Sequence, residues 1–137
     1  MLAGMAFANA PVAAVHALAY PLGGHFHVPH GLSNALVLPW VMEYNMPEAQ
    51  GLYAELAPLI FPETAGMTAE AATTAMVEGF KAMGPELGMK SKLAEVGVSH
   101  NHLTMLAEDA MRQTRLLVNN PREVTYEAAL QIYTAAL

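Results

Sequence analysis

The sequence predicts an all-α protein, a single bundle of helices, and three observations support this. Apolar residues recur at helical spacing along most of the 137 residues, and no segment shows the sustained alternation typical of a strand. Side chains that cap helices repeatedly stand just before a proline or an apolar run, which is a helix-start signature. Charged residues make up only 13% of the chain, against about 25% in an average globular protein, and this excludes a disordered chain. At this length we expect one domain, residues 1–137.

The first half of the chain is predicted to form four helices. Asn9 and Asn45 each stand just before a proline, so they are expected to cap the second and fourth helices. Pro21 and two glycines end the second helix, which leaves a loop over residues 22–29. Pro39 is expected to kink the third helix. The predicted helices are residues 1–8, 11–20, 30–44 and 47–57.

Threonines mark two helix starts in the second half. Thr68 and Thr125 each precede an apolar-periodic run, as N-caps do. Gly84 and Pro85 are expected to end the helix that Thr68 begins, and Gly97 ends a short turn. The predicted helical segments are residues 69–83, residues 91–96, residues 99–117 and a last helix after Thr125.

Charge is distributed very unevenly along the chain. The first charged residue is Glu43 and the first basic residue is Lys81, so residues 1–80 carry six acids and no base, whereas residues 81–137 are balanced. The uncharged first 42 residues suggest a segment buried in a core or against a partner. A net charge of −6 lacks the basic footprint of a nucleic-acid-binding protein. The absence of cysteine excludes disulfides and thiolate metal sites.

The apolar N-terminus has the length of a membrane span but not its composition. Residues 1–24 consist largely of alanine, with Asn9, Pro11 and His16 among them. A signal peptide requires a basic residue before its apolar run, and this chain has none there. We therefore expect a cytoplasmic protein without a membrane segment.

Four histidines lie in the otherwise apolar first half. His16 is in a predicted helix, and His30 stands fourteen residues later at the start of the next helix, so a helical hairpin could bring the two rings together. His25 and His27 are predicted to lie in the loop between those helices. Imidazole is a good ligand for iron, zinc and copper, but spacing alone equally fits a buried histidine and a helix cap. A second pair, His100 and His102, is expected to cap a helix.

Several segments carry a resemblance to a known family. They are residues 4–10 (GMAFANA), 15–24 (VHALAYPLGG), 29–35 (PHGLSNA) and 38–39 (LP), together with 120–122 (NPR) and the helix that ends in Ile132 and Tyr133. Taken together, they resemble the iron-containing alcohol dehydrogenases over essentially the whole chain. The resemblance implies the helical C-terminal domain of the dehydroquinate synthase-like fold of that family.

The family resemblance also implies a reaction and a site. Members interconvert alcohols and aldehydes, transferring hydride to or from NAD(P), with Fe²⁺ or sometimes Zn²⁺ polarising the substrate oxygen. Four ligands are expected: an Asp and a His one helical turn apart, and two further histidines, which correspond to His16 and His30. Tyr20 stands where many members have a histidine that faces the substrate, so it is a candidate catalytic residue. His25 and His27 are candidates for an auxiliary pair lining the cleft.

The chain also departs from the family pattern. It has no glycine-rich dinucleotide-binding loop and no Asp-x3-His pair. The sequence therefore predicts a C-terminal fragment that lacks its nucleotide-binding partner domain, is inactive alone and self-associates. One alternative is a stand-alone helical module that binds a metal through His16, His25, His27 and His30 or docks a partner on its apolar face. A structural remnant without activity is a further alternative.

Overall fold

The computed structural model describes residues 1–137 and contains helices only, as predicted. Three 3₁₀ turns, at Pro62–Thr64, Leu93–Val96 and His100–His102, lie between the helices. The seven α-helices are α1 (Leu2–Asn9), α2 (Ala14–Phe26), α3 (His30–Ile60), α4 (Ala69–Glu86), α5 (Leu103–Met111), α6 (Thr114–Leu117) and α7 (Tyr126–Ala136).

Helix α2 continues past the end predicted at Tyr20. Pro21 lies inside the helix and is buried, so the apolar contacts of its ring offset the hydrogen bond that a proline cannot make. The helix ends instead at His27, which adopts the left-handed conformation at φ 53°. The Val28 amide then donates to the carbonyl of Leu22 at 3.4 Å, which closes the end of the helix. The predicted loop over residues 22–29 is thus reduced to residues 27–29.

Helix α3 joins two predicted helices into one of 31 residues. It passes through Pro39, Pro47 and Pro58 without ending. Asn45 does not cap a new helix because its side chain is buried and bonds distant residues instead. Packing of α3 along α4 and α2 supplies the stabilisation that the local sequence lacks.

Of the four predicted asparagine and threonine caps, the two threonines are confirmed and the two asparagines are wrong. Asn9 is the last residue of α1, and α2 begins only at Ala14, so Asn9 does not cap it and Pro11 lies between the two helices. Thr68 and Thr125 accept hydrogen bonds from the third residue of α4 and α7, at 3.3 and 3.2 Å, as predicted. Gly97 closes the turn before it in the left-handed conformation. Helix α4 runs past Gly84 and Pro85 to Glu86, however.

The helix predicted over residues 99–117 is broken into a 3₁₀ turn, α5 and α6. The amides of Arg112 and Gln113 bond carbonyls only three residues back, and Gln113 then leaves the helical region at φ −82° and ψ 47°. No proline or glycine marks this break, so it could not be predicted from the local sequence.

Helix α2 lies at the centre of the main core. Ala17, Leu18 and Leu22 are fully buried and belong to a cluster of 21 buried residues from α2, α3, α5, α7 and the segments between them. Tyr133 of α7 is also fully buried, and its hydroxyl donates to the carbonyl of Leu18 at 2.7 Å. A smaller core of five residues, which includes Met42 and Met76, joins α3 to α4. These contacts fix α2 against α3 and so position the histidines on both helices.

The uncharged N-terminal stretch divides at residue 12. From Ala14 onward it contributes much of the core, whereas residues 1–11 are exposed. Leu2, Met5 and Phe7 of α1 are 78%, 57% and 59% exposed, so α1 presents apolar side chains that nothing in the chain covers. No single helix has both the length and the apolar character to cross a membrane. Helices α1 and α2 meet those criteria only as a pair, and they are bent by 97° to each other.

Candidate functional site

The hairpin of α2 and α3 brings His16, Tyr20 and His30 together. His16 and Tyr20 are four residues apart on α2 and therefore share one face of the helix. The short turn at residues 27–29 returns the chain so that His30 begins α3 beside that face. The ring centroids of His16 and His30 are 5.2 Å apart, and the Tyr20 ring lies 6.3 Å from the first and 6.2 Å from the second.

The two histidines differ in their environment. His16 is partly buried, whereas Tyr20 and His30 are exposed. Burial, and then the positive charge of protonated His30, lower the pKa of His16 below its ordinary value. The His16 imidazole is therefore neutral at pH 7, which is the form that binds a metal ion.

Asn34 contacts His30 in a way that the sequence did not reveal. It lies one helical turn further along α3, and its amide nitrogen donates to the carbonyl of His30 at 3.0 Å and to ring Nε2 at 3.1 Å. An amide nitrogen only donates, so the contact with Nε2 is a hydrogen bond in the tautomer whose Nε2 carries a lone pair, and the bond then engages that lone pair. The carbonyl oxygen of the Asn34 side chain is buried without a partner. The i, i+4 spacing within PHGLSN was the only available sequence signal.

His25 and His27 do not join this cluster. His25 is nine residues beyond His16, about two and a half turns, and therefore on the opposite side of α2. Its Nε2 bonds the carboxylate of Asp109 on α5. That hydrogen bond, and then the charge of Arg112, lower the pKa of Asp109. His27 forms the left-handed end of α2.

The donor set fits part of a metal site. His16 and His30 are two neighbouring imidazoles, which suit iron or zinc. No group of three or more His, Cys, Asp or Glu residues gathers anywhere in the 137 residues. A catalytic zinc ordinarily has three protein ligands. The two neighbouring imidazoles are thus too few for a complete site of this kind, and the alternative of a stand-alone metal site built from four histidines is wrong.

Of the second histidine pair, His102 has the expected capping role, whereas His100 is exposed. The backbone amide of Ser99 donates to Nδ1 of His102 at 3.1 Å, which caps the turn that precedes α5. The His102 ring also packs edge-on against Phe26, with centroids 5.1 Å apart.

The segment Asn120-Pro-Arg122 ties the C-terminal part of the chain to the middle of α3. The side chains of Asn120 and Asn45 bond each other reciprocally at 2.7 and 3.1 Å. Arg122 donates to the carbonyl of Tyr44 at 2.7 Å and lies over the Tyr44 ring at 4.1 Å. This network is structural and touches none of the three clustered residues.

Known proteins resemble the chain over its whole length. Residues 1–137 match the model described as "Fe-containing alcohol dehydrogenase family, C-terminal". Lactaldehyde reductase of Escherichia coli K12 is 36% identical over 135 residues, which cover 98% of this chain and 35% of that protein. Long-chain-alcohol dehydrogenase 1 of Geobacillus thermodenitrificans is 38% identical over 135 residues, with 98% and 34% covered.

Solved structures agree with the sequence comparisons. The crystal structure of a 1,3-propanediol oxidoreductase superimposes with a TM-score of 0.91 at 31% identity, covering 99% of this chain and 35% of that one. An alcohol dehydrogenase from Oenococcus oeni gives 0.91 at 34% identity, with 100% and 36% covered. The chain thus spans about a third of the length of these relatives and has the fold of their helical C-terminal region. It belongs to the Fe-containing alcohol dehydrogenase family, whose C-terminal part it represents.

Proposed function

We propose that this chain forms the metal-binding half of an NAD(P)-dependent alcohol dehydrogenase and supplies His16 and His30 as two of the metal ligands. The observation that carries this proposal is the juxtaposition of these two imidazoles, with ring centroids 5.2 Å apart, at the turn between α2 and α3. The family membership implies a metal in the complete enzyme. Two imidazoles leave the choice between Fe²⁺ and Zn²⁺ open.

The substrate class is a small alcohol or aldehyde. Relatives are named for lactaldehyde, 1,3-propanediol and long-chain alcohols, which share a primary alcohol or aldehyde function. When bound, the metal acts as a Lewis acid toward the substrate oxygen, and the nicotinamide accepts or donates the hydride. The nucleotide and the remaining ligands would be supplied by a domain like that which makes up the rest of the relatives. A cytoplasmic location is part of this proposal.

Residues of this chain would orient the reactants. Burial favours the neutral form of His16, which is the form that binds a metal ion. The amide of Asn34 lies 3.1 Å from Nε2 of His30, so a metal ion bound at that nitrogen would displace the contact with Asn34. Tyr20 places an exposed phenol beside both rings, where its hydroxyl can donate a hydrogen bond to the substrate oxygen or accept one from it.

A chimeric enzyme tests the proposal directly. The matched C-terminal region of E. coli lactaldehyde reductase is replaced by this chain, and bound metal and nicotinamide-dependent reduction of lactaldehyde are both measured. We expect a metal-containing, active chimera. The single substitutions His16→Ala and His30→Ala should each remove most of the metal and lower kcat/KM at least a hundredfold.

His100→Ala is the matched control because it removes an exposed imidazole from another part of the molecule. It should leave both the metal content and the activity unchanged. A chimera that keeps its metal and its activity after both His16→Ala and His30→Ala would show that these residues are not the ligands.

A further inference from the structure

A second feature of the molecule lies away from the histidines. Helices α3 and α4 and the segment that follows α4 enclose a cavity of about 420 Å³. Its walls are mainly apolar and include Leu38, Trp40, Phe80 and Leu87. None of the three clustered residues lines it. The volume lies within the range of about 300–1,000 Å³ that is typical of small-molecule sites.

Both walls of the cavity belong to one packed helical pair. Helices α3 and α4 share the smaller core, and Lys81 of α4 lies over the Trp40 ring of α3 at 4.5 Å. The cavity is therefore formed within the chain itself, and no residue of α1 lines it. Its shape depends on contacts that the 137 residues already make.

The charged residues that line the cavity are all lysines. Lys81, Lys90 and Lys92 are the only lysines of a chain that has twice as many acidic as basic residues, and all three line the cavity. No Asp or Glu is among its fifteen lining residues. This clustering opposes the overall charge of −6 and favours an anion at this place.

The three lysines differ in whether their ammonium groups already form ion pairs. Lys81 Nζ is paired with Glu43 at 3.0 Å and with Glu78 at 2.9 Å, and although burial opposes its charge, these bonds raise the pKa of Lys81. Lys90 and Lys92 are exposed and make no ion pair. The carboxylate of Glu95 accepts from two backbone amides at 2.8 Å. These two bonds, and then the nearby charges of Lys90 and Lys92, lower the pKa of Glu95. Lys90 and Lys92 thus line an apolar cavity without a direct ion pair, although Glu95 is in their vicinity.

We propose that this cavity binds an aliphatic carboxylate, with the hydrocarbon chain between α3 and α4 and the carboxylate paired with Lys90 and Lys92. Burial of the hydrocarbon among Leu38, Trp40 and Phe80 would provide most of the affinity. The two ammonium groups would select a negative head group over a neutral or positive one. This proposal does not depend on the metal site.

Trp40 is the only tryptophan of the chain and lines the cavity, so its fluorescence reports occupancy directly. The 137-residue protein is titrated with decanoate, decanol and decylamine, kept below the concentrations at which they form micelles. These probes share the hydrocarbon chain and differ in the head group. We expect a saturable change in Trp40 emission, with decanoate binding tightest and decylamine weakest.

Three variants locate the site. Lys90→Gln combined with Lys92→Gln should weaken decanoate binding roughly three- to tenfold and leave decanol binding within about twofold, as expected for two partly exposed ion pairs. Ala35→Phe places a ring from an exposed position into the cavity and should weaken both ligands. Arg115→Gln removes a cation elsewhere and should change neither. Thermal unfolding verifies that each variant is folded.

Two results would overturn the proposal. One is the absence of any saturable Trp40 response to decanoate in the folded protein. The other is equal binding of all three probes that the double lysine variant does not alter, which would show a non-selective apolar surface and no carboxylate site.

Discussion

At the scale of single residues, polar groups in the core hold the hairpin that carries the histidines. The Tyr133 hydroxyl reaches across from α7 to the carbonyl of Leu18, two residues beyond His16 on α2. Both residues are fully buried. Burial, and then the negative charge of Asp109, raise the pKa of Tyr133 far above its ordinary range, so the phenol remains a donor at every pH at which the protein folds.

Removal of this hydroxyl should have a measurable cost. We expect Tyr133→Phe to lower the free energy of unfolding by about 1 kcal/mol, the usual net value of a buried hydrogen bond. Urea unfolding followed by circular dichroism provides the measurement. Tyr126→Phe is the control, because the Tyr126 hydroxyl makes no hydrogen bond within the chain and its loss should change stability little. Equal effects of both substitutions would mean that the Leu18 bond contributes nothing.

Asp109 provides a pH-dependent contact between α5 and α2. Because its pKa in the folded protein is lowered, the stabilisation is present above the ordinary pKa of an aspartate and is lost as the pH falls through the lower folded value. We expect Asp109→Asn to cost about 0.5 kcal/mol at pH 7, since the pair with His25 is partly exposed.

The melting temperatures of Asp109→Asn and the parent chain should therefore converge below about pH 4. Glu108→Gln, at the neighbouring exposed position, controls for the general effect of removing an acid. A gap between the two melting curves that stayed constant down to pH 2 would contradict a depressed pKa.

At the scale of elements, the two threonine caps correctly predicted where helices begin. Pro21 and Pro47, in contrast, did not mark the helix boundaries predicted from them. A threonine cap acts within four residues, so Thr68 and Thr125 could be recognised from their neighbours alone. A proline inside a helix has a local cost, but Pro21 is buried in tertiary contacts that offset it and that no local pattern encodes. Asn45 was predicted as a cap because it stands just before Pro47, yet its side chain bonds Asn120, which is 75 residues away.

Prediction of the candidate site was limited in the same way, by contacts between residues that are far apart in the sequence. His16 and His30 could be paired from their spacing and from the family resemblance, because a short hairpin joins them. The prediction that His25 lies beside them was wrong, since its partner Asp109 is 84 residues away on a helix whose register the sequence did not fix. Asn34 is only four residues from His30, but asparagines at this spacing are common and most bond only the backbone, as Asn9 does.

The cap of α7 provides a test at the same scale. Thr125 Oγ1 accepts from the amide of Ala128 at 3.2 Å, and α7 carries Tyr133 into the core. We expect Thr125→Ala to lower the free energy of unfolding by about 1 kcal/mol, as is typical of N-cap removal. Thr104→Ala, at an exposed position within α5, should have no destabilising effect, because alanine is the better helix former. Destabilisation by Thr104→Ala as large as that by Thr125→Ala would argue against a capping role.

At the scale of the whole molecule, the chain has an enclosed core, but parts of its surface expose groups that usually have a partner. The 21-residue cluster around α2 is enclosed, whereas α1 exposes Leu2, Met5 and Phe7, and no third metal-binding side chain accompanies the His16–His30 pair. Exposed apolar patches of this kind favour self-association. That the chain forms a homo-oligomer stays a prediction. Sedimentation velocity tests it by comparing the parent chain with the double variant Leu2→Ser/Phe7→Ser, which should self-associate less.

The presence of only two neighbouring imidazoles leads to a prediction about the metal affinity of the isolated 137-residue chain. Two imidazoles lack the third protein ligand of a catalytic zinc site, so the chelator-stripped chain should bind Zn²⁺ or anaerobic Fe²⁺ only weakly. Calorimetric titration should also show that His16→Ala/His30→Ala removes this weak binding, whereas His100→Ala/His102→Ala does not. Tight one-to-one binding that the first double variant abolished would mean that other groups of this chain complete the site. The remaining ligands would then not have to come from elsewhere, and the chain would have to be treated as a metal-binding protein in its own right.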